Sequence, residues 1–130
     1  IGSRLKAKQL DAGFLMWDIR RFAQLDRFPT GHRVVIHFQF TDAPRGERLW
    51  WLVVENRTAD LCRDDPGHEV SVVVESTVHA LTKVWTGNSD QEKEIHAGQL
   101  NVLGAGRRGQ TLWRWLGRSM FAPTRIAARP

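Results

Sequence analysis

A single cysteine in 130 residues rules out an internal disulfide, so the fold must rest on its apolar core. Cys62 reads as a small buried hydrophobe in a strand, and the absence of a cysteine framework fits a reducing cytoplasm. No apolar run approaches the roughly 20 residues of a membrane helix, and the polar, basic start has none of the features of a signal peptide. Residue 1 is Ile rather than Met, from which we expect further sequence upstream. Tyrosine is missing altogether, while six tryptophans are present: Trp17, Trp50, Trp51, Trp85, Trp113 and Trp115.

Catalytic and metal-binding patterns are equally sparse. The histidines stand at 32, 37, 68, 79 and 96, none paired at the i, i+4 spacing of a zinc helix and none near Cys62. No serine sits in a Gly-x-Ser-x-Gly elbow. Asp64 and Asp65 fall in a Pro-Gly turn, where local backbone hydrogen bonds account for them. Without an acid, base and nucleophile set, the sequence gives no reason to expect an enzyme, and it suggests neither a cofactor nor a metal. Gly104-Ala105-Gly106-Arg107-Arg108-Gly109 does have Gly-x-Gly-x-x-Gly spacing. A dinucleotide site would need a further strand and an acidic residue about 20 positions on, and neither follows, so a strand-to-helix turn suffices.

What is present is ordinary globular material: 42% hydrophobic and 25% charged residues, enough chain for one domain with a real core. Of the 19 basic residues four are Lys and the rest Arg, for a net charge of +5. The arginines run from Arg4 to Arg129 without forming a stripe, which argues against direct DNA contact by this chain.

Residues 1–13 read as a linker. From Phe14 to Leu25 the period is helical, with Leu15, Ile19 and Phe22 on one face and Asp11 or Gly13 near the start. The period then becomes two: Val34, Ile36, Phe38 and Phe40 alternate with Val35, His37, Gln39 and Thr41. After the turn 42–46, the strand from Leu49 to Asn56 is apolar on both faces, with Trp51 and Val53 opposite Trp50, Leu52 and Val54, so neither side should be wet. A third strand covers Thr58 to Arg63, and Val70, Val72 and Val74 mark a fourth. Ser76 or Thr77 caps a helix with the stripe Val78, Leu81, Val84 and Trp85, closed by Gly87. Ser89-Asp90-Gln91-Glu92 reads as a capping box opening a short helix that stops at Gly98. Gln99 to Leu103 is a fifth strand. A last helix groups Leu112, Trp115 and Leu116. Helix, four strands, two helices, strand, helix indicates an α+β domain with helices over one face of a sheet.

The tryptophans fall at buried phases of their elements, either as core or as the wall of an apolar cavity. Stacking on nucleobases would need exposed rings.

The segment from Glu75 to Gly104 resembles the sterol carrier protein 2 family: a capped helix closing on Trp85-Thr86-Gly87, a short helix, then Gly98-Gln99-Leu100-Asn101-Val102-Leu103-Gly104. The likeness extends from Phe14 to Leu116, and Gly104-Ala105-Gly106 departs from the family's usual Gly-Asp. Phe14–Arg21 and Phe38–Gly46 also resemble the C-terminal module of actinobacterial regulators in which a winged helix of the HxlR type precedes a sterol-carrier-like domain. The resemblance implies a single five-stranded mixed sheet in the order 3-2-1-4-5, helices over one face, and an apolar tunnel between the layers. The domain would cover 14–121, with 122–130 as a tail.

We therefore expect a hydrophobic small molecule or lipid as ligand. Its wall would comprise Phe38, Trp51, Val53, Leu81, Val84, Trp85, Leu112 and Trp115. The family likeness adds Leu116, Met120 and Phe121 as part of the closing segment. The protein would be the sensor module of a transcriptional regulator, with its winged-helix domain upstream. The alternative is a structural or dimerising module with a filled core.

Overall fold

The computed structural model describes residues 11–104, together with 112, 116 and 117. The expected tail 122–130 and residues 1–10 of the expected linker lie outside the described residues.

Helix α1 spans Ala12–Phe22. It starts two residues before the position expected from periodicity, because the Asp11 side chain is the N-cap and accepts from the Phe14 N–H at 3.4 Å. It also stops before Leu25. Ala23 turns to extended backbone, and the Gln24 amide donates to the Phe22 carbonyl at 3.1 Å, meeting a helix-end acceptor that another turn would have used. A short 3-10 turn, Leu25–Arg27, follows.

Strands β1 (Val34–Phe40), β2 (Leu49–Glu55) and β3 (Thr58–Cys62) form an antiparallel meander. Asn56 and Arg57, both at positive φ (52° and 62°), make the two-residue β2–β3 turn, whose hand suits the strand twist. β4 (Val72–Ser76) pairs with β1 in parallel, and β5 (Leu100–Gly104) pairs with β4 antiparallel. The result is one mixed sheet in the order β3-β2-β1-β4-β5, the expected α+β topology.

The fourth strand begins later than its valines suggest. Ser71 exchanges two bonds with Val35, its N–H donating to the Val35 carbonyl at 2.8 Å and its Oγ accepting from the Val35 N–H at 3.2 Å. The chain bends there, so Val70 packs on one face of the sheet while Val72 and Val74 enter the core on the other.

Helix α2 (Val78–Trp85) carries the expected buried stripe Val78, Leu81, Val84 and Trp85. Thr77 is its cap, accepting from Ala80 N–H at 3.0 Å, and Asp42 from the β1–β2 connection accepts from Val78 N–H at 2.9 Å. Two otherwise unpaired donors are thus met, one of them by a residue 36 positions away. Helix α3 (Gln91–His96) corrects the capping-box reading. Asp90 is the N-cap, accepting from Lys93 N–H at 2.9 Å, and the Ser89 hydroxyl turns inward to donate to Glu94 Oε2 at 2.6 Å.

The main core lies between the sheet and α1 with α2, and fully buried Leu112 and Leu116, both helical, belong to it. A second, smaller cluster of Val35, Trp51 and Val53, with Cys62 and Val70 packed against it, occupies the opposite face. The two-sided hydrophobicity of β2 therefore serves two separate apolar layers.

Candidate ligand-binding site

The strand register decides which expected wall residues can meet. Phe38 lies opposite Trp50 and His37 opposite Trp51, so the pleat sends Phe38, Trp50, Leu52 and Val54 to the helical side and Trp51 and Val53 to the other. Phe38, Leu81, Val84, Trp85, Leu112 and Leu116 are brought together in one buried cluster. Trp51 and Val53 are not, and drop out of any wall shared with Phe38: a residue of opposite parity on a strand cannot face the same layer. Trp51 instead stacks on the imidazole of His37, centroids 4.2 Å apart, while His37 Nδ1 donates to the Trp50 carbonyl at 3.0 Å. Trp115, Met120 and Phe121 lie outside the described residues.

The interlayer region is apolar, with its polar fittings internally matched. The Trp85 indole Nε1 donates to Asp18 Oδ2 on α1 at 2.6 Å, tying the two helices together at the layer boundary. At the far end of α2, Glu94 is buried and accepts from Ser89 Oγ, while Lys83 Nζ lies 3.2 Å away. The Ser89 hydrogen bond holds the Glu94 carboxyl below its ordinary range against the opposing cost of burial, and Lys83 and His79 add to the lowering. Among the described residues no buried side-chain nitrogen or oxygen lacks a partner, and no group of three or more His, Cys, Asp or Glu could hold a metal. No described helix is long and apolar enough to cross a membrane.

A second feature escaped the sequence. A surface groove of about 610 Å³ is lined by Asp11, Gly13, Phe14, Trp17, Gly46, Glu47, Trp50 and Arg63. Phe14 and Trp17 project from the outer side of α1 and are 61% and 58% exposed, which corrects the expectation that the tryptophans are buried. Asp11 and Glu47 share its lining, and the neighbouring Asp11 carboxyl, with some burial, raises the Glu47 pKa above its ordinary value. The Arg63 guanidinium, 5.1 Å from the Trp50 ring centroid and bonded to the Gly46 carbonyl, partly offsets that rise. Phe14 and Trp17, one turn apart and off the Leu15–Ile19 face, were a usable signal. The placing of Asp11 and Glu47 on one groove was not, since tertiary folding joins them across 36 positions.

No family model matches the sequence, and no curated protein matches it. Solved structures do. Over 81% of this chain and 91% of theirs, a ubiquinone synthesis protein described as UbiJ-SCP2 superposes with a TM-score of 0.59 at 16% identity. Sterol carrier protein 2 from Yarrowia lipolytica matches with a TM-score of 0.51 and 13% identity, over 82% of this chain and 93% of that one. The chain has the sterol carrier protein 2 fold. A sec-alkylsulfatase from Pseudomonas sp. contains the same arrangement, with a TM-score of 0.58 and 18% identity over 78% of this chain. The present chain spans only 15% of that enzyme's length, and 17% of a double mutant of the sec-alkylsulfatase PisA1 (TM-score 0.65, 15% identity, 85% of this chain).

Proposed function

We propose that this chain is a non-catalytic domain that takes a lipid or other hydrophobic small molecule between its sheet and its helices. The observation that carries the reading is the uniformly apolar layer interface of Phe38, Leu81, Val84, Trp85, Leu112 and Leu116, in a fold shared with sterol carrier protein 2 domains. An interior without a spare polar group would favour a ligand through buried hydrocarbon, at about 0.8 kcal/mol per methylene. Each two-carbon extension of a fatty acid should then tighten binding by roughly 15-fold until the space is filled. Displacement of a fluorescent fatty acid from the 130-residue chain by a C8–C16 series measures this, with Leu81→Trp expected to abolish it by filling the interior. A chain that takes up neither fatty acids nor a sterol probe overturns the proposal.

The second reading is a structural or dimerising module, favoured by the complete burial of Phe38, Leu81, Leu112 and Leu116 against their neighbours. It is the reading left standing if the displacement series is flat. A sensor role in a transcriptional regulator, with a winged-helix domain upstream, rests on the likeness of segments 14–21 and 38–46 to such regulators. A place as one module of a larger chain is supported by the recurrence of this unit within the much longer sulfatases.

A further inference from the structure

The groove and the interior are separated by the start of α1 and the ring beneath it. Trp50 belongs to the main core and also lines the groove. Gly13 lies against that ring, where an added Cβ would meet it at 3.7 Å. Met16, Ile19, Phe38, Leu81, Leu112 and Leu116 are fully buried in one cluster, so a ligand reaches the space between the layers only when an element moves. Helix α2 is firmly seated. Asp42 from the β1–β2 connection holds its first turn, and the Lys83 carbonyl near its end accepts from the Asn88 and Ser89 N–H groups. Helix α1 is tied more lightly. Among the described residues, two side-chain bonds join it to other elements: Asp18 Oδ2 accepts from Trp85 Nε1 at 2.6 Å, and Arg20 Nε donates to the Ala59 carbonyl at 3.0 Å. Both lie in its second half, while its first turns border the groove.

We propose that α1 is a hinged cover through which a hydrophobic ligand passes from the groove into the interior. It pivots on the connection 23–33, where Gly31 holds φ 77°, and lifts its first turns off the Trp50 ring. The Asp18–Trp85 bond is the latch, and the Arg20–Ala59 bond lies on the pivot side. Lifting uncovers Ala12, Leu15 and Met16 and takes the acceptor from the Trp85 indole, so the closed form prevails between openings. Phe14 and Trp17, exposed beside the groove, then form an apolar mouth, a use for two rings that the core does not need. The ligand in this scheme rests on the reading given above. The motion of α1 does not.

Native-state hydrogen exchange on the ligand-free 130-residue chain reads the motion. A helix of 11 residues lifted from its core does not keep its hydrogen bonds in water, so its amides exchange when it opens. The α1 amides should exchange as one group, about tenfold or more faster than those of β1 and β2. Asp18→Ala should quicken that group by about tenfold, and Asp18→Asn, which keeps an acceptor for the indole, by less. Stopped-flow uptake of 11-(dansylamino)undecanoic acid reads the latch. Asp18→Ala should raise the entry and exit rates together with Kd little changed, because the same bond closes over the empty and the filled interior. Trp17→Ala, which strips the mouth, should slow entry and leave α1 exchange as it was. Amides of α1 that exchange no faster than the sheet, or unchanged probe rates in Asp18→Ala, would overturn the cover, and equal entry in Trp17→Ala the groove route. An α1 that opens without any uptake of the probe overturns the interlayer ligand instead, and leaves the hinge standing.

Discussion

Replacing Glu94 by Gln keeps its volume and hydrogen-bonding shape but removes the charge that Ser89 and Lys83 are arranged to hold. Glu94 is only 6% exposed, with a 2.6 Å bond from Ser89 Oγ and Lys83 Nζ at 3.2 Å. Hydrogen bonds to a buried charge contribute about 1.5–3 kcal/mol, and Lys83, about a third exposed, can recover hydration when its partner goes. We therefore expect Glu94→Gln to lose roughly 1.5–2.5 kcal/mol at pH 7, which for a domain of this size lowers Tm by several degrees. The pH dependence is the sharper part. The folded-state pKa lies below the ordinary 4.5, so the stabilisation is complete above that value and disappears as the pH falls through the lowered pKa. Urea unfolding followed by tryptophan fluorescence should show a gap between parent and variant that is full at pH 7 and much reduced near pH 3. Equal midpoints at pH 7, or a gap that persists unchanged into acid, would refute the argument.

Asp18→Ala leaves the buried Trp85 Nε1–H without its acceptor and should cost about 1–3 kcal/mol, seen as a lower urea midpoint with a changed near-ultraviolet tryptophan signal. Arg57→Gly should stabilise the chain by up to about 1 kcal/mol in thermal melts, because Arg57 sits at φ 62° in the β2–β3 turn. Gly117→Ala should destabilise by about 1 kcal/mol or more, since Gly117 holds φ 74° and an added Cβ would come within 2.8 Å of Gln24 Cγ.

The sheet was legible because its signals are local and redundant. Alternation over 34–40, the doubly apolar 49–55 and the capped stripe at 78–85 each dictate one element and one buried face. Strand order came from family likeness, since nothing in the alternation says that β4 lies beside β1. The buried cluster behind the sheet was legible in part. Phe38 and the α2 stripe share hydrophobicity and phase, and they meet. Trp51 and Val53 match that cluster in hydrophobicity but not in parity, and their alternation with Trp50 and Leu52 sends them to the far layer. Asp90 rather than Ser89 caps α3 because the Ser89 hydroxyl finds a charged acceptor in Glu94, a competition that the four-residue motif does not reveal. The groove is lined by residues from α1, the β1–β2 connection and the end of β3, which only the packed chain brings together.

The parallel β1–β4 pairing is a seam between two locally paired halves. On one side is the meander β1-β2-β3, on the other the β4–β5 pair with α2 and α3 between its strands; the two share one apolar core, and the largely exposed loop 63–69 is the covalent link. A cut at Pro66-Gly67 would leave every antiparallel ladder intact within its own fragment. The five register pairs from Ile36–Val72 to Phe40–Ser76, the apolar contacts behind them and the bonds Asp42–Val78, Val35–Ser71 and Asp18–Trp85 would then have to find each other again. The domain is thus laid out for splitting and reassembly, with the reunion of two separately expressed pieces governed by the middle of its sheet.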